Sequence, residues 1–385
     1  MSLEKWLETN IGYEAFNPGL ERIIKAMALF NLTLKNKKII SIAGTNGKGQ
    51  TSREIYRLLS KRGSCALWTS PHLISLTERY SKNGKSIEDS ALEQVCIDTH
   101  QVLKASAISV SYFEFLFLVF LIWSKDCDTL VLEVGLGGRL DAVNAVDADI
   151  AVITSISRDH QDFLGNRYDL IFNEKFGIAR KDKILITNFE LSYLRELSKK
   201  HSQKLGCRWS DLFDLGVCSD SMNFSNRNIA LAKHCVEALL GEKVDDNLSA
   251  SPLIKFDLYG TACHALTSHN PDGVRKGVQF LKHDKYTSKY ELVLMSFSDR
   301  RPEDAKSMLD SIIAWRGGRE NIVLCAFKHP KAMRQDLVES LAKKARVKFV
   351  NDATEFFKEY PKGQTLVLGS NYFIGQLLQS SGARR

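Results

Sequence analysis

Along the first half of the chain, short apolar runs alternate with stretches that are apolar on one side only. Lys38-Ile39-Ile40-Ser41-Ile42-Ala43 is a β-branched run that stops at a glycine, as a strand buried on both faces does. From about Lys48 to Ser60 the apolar positions take helical spacing, with Ile55, Leu58 and Leu59 on one face and Gly63 as the stop. Further strands are predicted at Cys65–Ser70, Thr129–Val134, Ile150–Ile156 and Lys183–Thr187, with helices between them, notably Ser90–Leu103 and Tyr112–Trp123. A second series begins after the polar stretch Gly241–Ser251. Its strands fall near Cys263–Thr267, Glu291–Ser296, Ile322–Phe327, Val347–Val350 and Thr365–Leu368, and its helices over Arg301–Trp315 and Lys331–Ala345. This alternation predicts an α/β fold, a mostly parallel sheet with helices on both faces. The domain boundary is placed near residue 250, giving domains 1–250 and 251–385.

Composition narrows the classes. A length of 385 residues suits two domains, and 44% apolar with 25% charged residues is the balance of a globular protein. The formal charge of +8 gives a mildly basic surface that favours anionic ligands. Neither a basic stripe nor a reading motif is present, so no nucleic-acid partner is expected. None of the eight cysteines forms a C-x-x-C pair, which argues against zinc and redox motifs and fits a reducing compartment. The N-terminus does not read as a signal peptide, and the longest apolar run, Phe115 to Trp123, is too short to span a bilayer. A cytoplasmic protein with no membrane partner is expected.

Between the first predicted strand and helix stands Gly44-Thr45-Asn46-Gly47-Lys48-Gly49. Glycines there let backbone N–H groups close around phosphate oxygens, the helix N-terminus adds its dipole, and Lys48 would balance phosphate charge. The run departs from G-x-x-x-x-G-K-[ST], because Ile42 occupies the position of the first glycine.

From this loop onward the chain resembles the folylpolyglutamate synthase and dihydrofolate synthase family of the Mur-ligase superfamily. That family's loop reads G-T-N-G-K-G and then a hydroxyl residue; here Gln50 holds that position and Thr51 comes one later. The likeness continues through Gly19-Leu20-Glu21-Arg22, Thr69-Ser70-Pro71-His72-Leu73, Glu78-Arg79-Tyr80, Asn83-Gly84 and Ser111-Tyr112-Phe113-Glu114-Phe115. It then takes in the segment from Leu132-Glu133-Val134 through Gly137-Gly138-Arg139-Leu140-Asp141-Ala142, then Thr154-Ser155-Ile156, Asp159-His160 and Glu174-Lys175. The resemblance is dense over residues 19–180 and thin over 250–385.

The resemblance implies an N-terminal P-loop-type ATPase domain with a mostly parallel sheet and a smaller C-terminal α/β Rossmann-like domain. It implies ligation of L-glutamate to dihydropteroate or to folates, with ATP and two magnesium ions, in a monomer. ATP would meet Gly44 to Thr51, Asn226 and His269. Ser70 and Glu133 would hold one magnesium and His160 a second, with Lys48 and Lys175 as further catalytic residues and Lys175 carbamylated. The pterin would lie against Gly19, Leu20 and Glu21, Ser111 to Glu114, and Leu140, Asp141 and Ala142. Such chemistry wants these groups: a carboxylate becomes reactive when a phosphoryl group is transferred to it, and that transfer needs positioning, lysine, backbone donors and oxygen-bound Mg²⁺.

Read without the family, Ser70 is equally a turn residue, His160 a hydrogen-bonded core histidine, Glu174-Lys175 a solvated helix pair, and Tyr112, Phe113 and Phe115 plain core. The second half lacks the family's Pro-Gly-Arg segment, for which Tyr259-Gly260-Thr261 is the nearest match, and has Leu266 where an aspartate is usual. Another Mur-type amino-acid ligase, and a non-catalytic ATP- or folate-binding paralogue, remain as alternatives.

Overall fold

The computed structural model describes residues 2–14, 17–244, 251–283, 289–360 and 363–382. The boundary expected near residue 250 lies outside the described residues. The chain separates into two compact units, Met1–Met222 with Asn226–Leu248, and Asn223–Ser225 with Ser249–Arg385.

The first unit is built on β1 (Lys38–Ala43), β2 (Cys65–Trp68), β3 (Tyr80–Lys82), β4 (Lys85–Ser86), β5 (Thr129–Glu133), β6 (Ile150–Ile153), β7 (Ile184–Thr187) and β8 (Arg208–Asp211). They form one sheet in the order β4-β3-β2-β5-β1-β6-β7-β8, parallel except for the antiparallel β3 and β4 at one edge. Its helices are α1 (Leu3–Asn10), α2 (Glu21–Leu29), α3 (Lys48–Leu59), α4 (Asp89–Ala105), α5 (Tyr112–Trp123), α6 (Gln161–Leu164), α7 (Tyr168–Phe176), α8 (Ser192–Leu205) and α9 (Phe224–Leu240).

Period-two alternation divides the central strands between two cores. Ile39, Ala43, Leu130, Leu132 and Ile153 face one way, toward the run Phe115–Leu121 of α5. Ile40, Ile42, Val131 and Val152 face the other, toward Ile55 and Leu58 of α3 and Leu231 and Cys235 of α9. Both faces are therefore covered, which is why these strands read as continuous apolar runs.

The second unit carries β9 (Ile254–Leu258), β10 (Thr261–Leu266), β11 (Leu292–Met295), β12 (Ile322–Cys325), β13 (Lys348–Val350) and β14 (Thr365–Leu368), in the order β13-β12-β11-β14-β10-β9. Only β9 runs antiparallel. Helices α10 (Pro271–His283), α11 (Pro302–Arg316), α12 (Gln335–Ala345), α13 (Ala353–Glu359) and α14 (Asn371–Ser380) complete it.

Several elements differ from the sequence reading. The pair β3–β4 closes through Asn83 (φ 51°) and Gly84 (φ 85°), a tight turn that both residue types tolerate. Tyr259 (φ 51°) and Gly260 (φ 79°) make the equivalent turn between β9 and β10, so the nearest match to the Pro-Gly-Arg segment is a hairpin tip. The helix expected from Lys331 begins only at Gln335, because Met333 N–H donates to the Phe297 carbonyl and Ala332 pairs with Ser298 instead. Helix α3 ends at Leu59 with Ser60 as its cap, short of Gly63. The strand expected to reach Ile156 stops at Ile153, for a reason given by the next segment's hydrogen bonds.

Candidate active site

The loop after β1 is held by the segment after β6. Thr45 Oγ1 donates to the Ser157 carbonyl at 3.1 Å and accepts from Ser157 N–H at 3.0 Å. Thr45 N–H donates to the Ser155 carbonyl at 2.8 Å, and Asn46 N–H to Ser155 Oγ at 3.0 Å. Thr154 Oγ1 and Ser155 Oγ donate to the Asn46 carbonyl at 2.6 and 3.0 Å. Past the Thr154 N–H bond to the Ala43 carbonyl at 3.0 Å, these bonds replace the strand ladder and fix the loop's shape. The fit also dictates glycine at position 44: at φ 153°, an added Cβ would lie 1.9 Å from Thr154 Oγ1.

At the other end of the loop, Gly47 (φ 91°) opens α3. A Cβ there would lie 2.7 Å from both amide atoms of Asn228, a buried residue of α9 whose Nδ2 donates to Gln50 Oε1 at 2.9 Å. Asn228 escaped the sequence reading, which singled out Asn226 two residues earlier; Asn226 is exposed. Gln50, where a hydroxyl is usual, thus has its carbonyl oxygen engaged by α9. Thr51, fully buried, has a hydroxyl with no hydrogen-bond partner.

Two lysines converge on the loop. Lys48 Nζ donates to the carbonyls of Gly44 at 3.1 Å and Thr45 at 3.4 Å. Lys175, on α7 and only 3% exposed, donates to the same Gly44 carbonyl at 2.9 Å. Burial, and then the Lys48 charge, lower its pKa to about 7, while Asp159, Asp141 and Glu174 oppose the shift. The solvated-pair alternative therefore fails for Lys175. Its neighbour Glu174 instead bonds Arg139 at 2.9 Å.

Glu133 ends β5, beside Ser70, which lies just beyond the neighbouring strand β2. It is 4% exposed, and burial raises its pKa against the pull of Lys48 and Arg53. Ser70 N–H donates to Glu133 Oε2 at 3.2 Å, while the Ser70 hydroxyl is buried without a hydrogen-bond partner. An anionic oxygen beside an unsatisfied neutral one fits a hard divalent cation. His160 does not belong to the core: its side chain is 52% exposed, its φ is 49°, and it caps α6 beside Asp159. Among the described residues, no three His, Cys, Asp or Glu side chains cluster as a metal-ligand set.

The three segments expected at the pterin are linked. Gly19 N–H donates to the Leu140 carbonyl at 3.3 Å, and Arg22 Nε to Glu114 Oε2 at 3.0 Å. Leu20 caps α2, and Glu21 opens its first turn. Ser111 and Glu114 form a reciprocal cap on α5, with Ser111 N–H donating to Glu114 Oε2 at 2.6 Å. Asp141 caps the short turn starting at Ala142, accepts from Leu136 N–H at 2.9 Å and Val143 N–H at 3.0 Å, and is pushed up to about 6 by burial. Phe115 is wholly core, whereas Tyr112 and Phe113 are half-buried, with Phe113 against Gly135 and the edge of Trp68. In the second unit, His269 follows β10 and is half-buried, its Nδ1 lying 3.1 Å from the Thr267 carbonyl. No helix of the described residues is long and apolar enough to cross a membrane.

A model of the Mur ligase middle domain matches residues 42–241. The dihydrofolate synthase/folylpolyglutamate synthase of Escherichia coli is 38% identical over 186 residues, 47% of this chain and 44% of that protein. The chain thus spans about half the length of the curated relatives it matches first. The Bacillus subtilis protein of the same name aligns over 97% of this chain and 96% of its own length at 26% identity. The fold is that of a Mycobacterium tuberculosis folylpolyglutamate synthase complexed with ADP, at TM-score 0.83 and 22% identity over 99% of this chain and 98% of that one.

Proposed function

This chain belongs to the folylpolyglutamate synthase/dihydrofolate synthase family of the Mur ligases, and from that premise we propose an ATP- and magnesium-dependent ligase activity. In this reading it joins L-glutamate to dihydropteroate or to folate (poly)glutamates through an acyl-phosphate intermediate. The observation that carries the reading is the gathering of a phosphate loop, two lysines, the Ser70–Glu133 oxygen pair and the three linked segments around Arg22 and Glu114 within one unit. Support also comes from the relatives' names, and from similarly folded enzymes solved in complex with ADP and DHPP, and with AMPPNP, Mn and L-glutamate.

The carboxylate oxygen of the pteroate attacks the γ-phosphorus of ATP, giving an acyl phosphate and ADP. The amine of glutamate then attacks the acyl carbon, phosphate leaves, and the nitrogen gives up a proton as the amide forms. Backbone N–H groups of the loop from Gly44 to Gly49 and the start of α3 hold the phosphates, while Lys48 neutralises charge that spreads over the transferring group. Ser70 and Glu133 would hold a magnesium ion, which supplies charge neutralisation, and His160 is assigned to a second ion. Asn226 is assigned to the nucleotide in the same reading. Lys175 is held near neutrality, the form of an amine that adds CO₂, and as a carbamate it would put a fixed negative charge beside the loop. Phe113 offers a ring face for a pterin, flanked by Gly19–Glu21 and Leu140–Ala142.

The test is incubation with ATP, Mg²⁺, labelled L-glutamate and, separately, dihydropteroate or tetrahydrofolate. Amide product with stoichiometric phosphate in either mixture is expected; ATP-independent product, or none in both, would overturn the reading.

A further inference from the structure

The sheet order assigns two sides to the phosphate loop. The loop follows β1; Glu133 and Ser70 lie on β5 and just after β2, successive strands to one side. On the other side come β6, whose extension clamps the loop, and then β7. Resting on the proposed nucleotide site, this order puts the metal and the transferring phosphoryl group toward β5 and β2. The nucleoside must then extend the other way, over the ends of β6 and β7, since ligands of open α/β sheets lie beyond the carboxyl ends of the strands.

Asn188 is the first residue beyond β7 and is 7% exposed. Its Nδ2 donates to the Arg227 carbonyl at 3.4 Å, and its Oδ1 has no hydrogen-bond partner. The orientation of the amide is set by that carbonyl, because turning it over would press two oxygens together. Arg227 directly precedes Asn228, the residue that touches Gly47 and Gln50. A buried amide oxygen left without a donor is costly, and here it lies one residue away from a contact with the phosphate loop.

We propose that Asn188 reads the nucleobase: its Oδ1 accepts a hydrogen bond from the exocyclic amine of adenine. Guanine and hypoxanthine present a carbonyl oxygen at that ring position, and two acceptors would then face each other in a buried site. Asn188 is thus a specificity-determining residue for ATP over GTP and ITP.

The test is displacement of N-methylanthraniloyl-ADP from the purified protein by ATP, ITP and GTP, which needs no turnover. The wild-type protein should bind ATP about tenfold more tightly than ITP, the discrimination expected when one buried acceptor loses its donor. Asn188→Ala should weaken ATP about five- to tenfold and, by removing the facing acceptor, leave ITP as tight as before or tighter, so the preference collapses. Equal weakening of ATP and ITP would reduce Asn188 to a structural role and overturn the assignment. So would a wild-type protein that binds ATP and ITP alike, a comparison that needs no variant to fold. If the wild-type protein bound neither nucleotide nor the probe, the ligase reading itself would fail, and this inference with it.

Discussion

Lys175 Nζ donates to the Gly44 carbonyl at 2.9 Å, so the buried lysine of α7 is fastened to the first residue of the phosphate loop. Lys48 reaches the same carbonyl from the opposite end of the loop, and its charge helps to lower the pKa of Lys175 to about 7. One carbonyl thus organises both lysines.

The carbamate proposed on Lys175 would draw on that proximity to neutrality. With ¹³C-bicarbonate, a carbamate resonance should grow as pH rises through about 7, and it should be absent in Lys175→Met. The sign of the stability effect is also fixed. Between about 7 and 10.5 the unfolded chain holds a proton on this amine that the folded chain lacks, so wild-type stability rises with pH across that window. Lys175→Met should therefore be more stable than wild type at pH 6, by an amount on the order of a few kcal/mol, with the gap shrinking toward pH 10. Thermal melts at the two ends check this, and a pH-independent gap would contradict it.

Glu133→Gln keeps the side chain's shape and removes its charge. Hard cations depend on that charge, so the magnesium concentration for half-maximal turnover should rise by about tenfold or more, with part of the rate recovered at high magnesium. Because burial raises the Glu133 pKa, metal affinity of the wild type should fall off at a pH above the ordinary carboxylate range. Titration of Mn²⁺ by electron paramagnetic resonance reads both effects without turnover.

Gly44→Ala drives a methyl group into Thr154 Oγ1 and imposes φ 153° on alanine. A loss of about 2 kcal/mol or more is expected, together with weaker nucleotide binding. Adding Thr154→Ala removes the steric part but also the hydroxyl that bonds the Asn46 carbonyl, so recovery should be partial. Denaturant melts of the two singles and the double measure the coupling.

Arg22→Ala unpairs the buried Glu114 carboxylate and loosens the junction of α2 with α5. The KM for the pteroate or folate substrate should rise about tenfold, with the KM for ATP nearly unchanged. Steady-state kinetics separates the two, and equal rises in both would take this junction out of the folate site.

Much of the first unit was legible because its strands are buried on both faces and so print as apolar runs, as with Ile39–Ala43 and Leu130–Leu132. The edges were harder to see. Strand β8 reads Arg208-Trp209-Ser210-Asp211, with mixed burial and no apolar run, and β3–β4 is too short to show alternation. The Asn83-Gly84 pair did carry a turn signal, since both positions need φ > 0. At the site, the glycine-lysine loop was visible in its spacing. The partners that shape it were not, because Ser157, Asn228 and the Ser70 hydroxyl gain their roles only when β6, α9 and β2 bring them to β1 and β5.

The acyl phosphate is the centre of the account, and an oxygen label follows it directly. With ¹⁸O in the carboxylate of dihydropteroate, and ATP, Mg²⁺ and L-glutamate present, one labelled oxygen should appear in inorganic phosphate for each amide formed. Mass spectrometry of the released phosphate reads it. Amide product with unlabelled phosphate, or with the label carried into AMP, would contradict the transfer of the γ-phosphoryl group to the carboxylate.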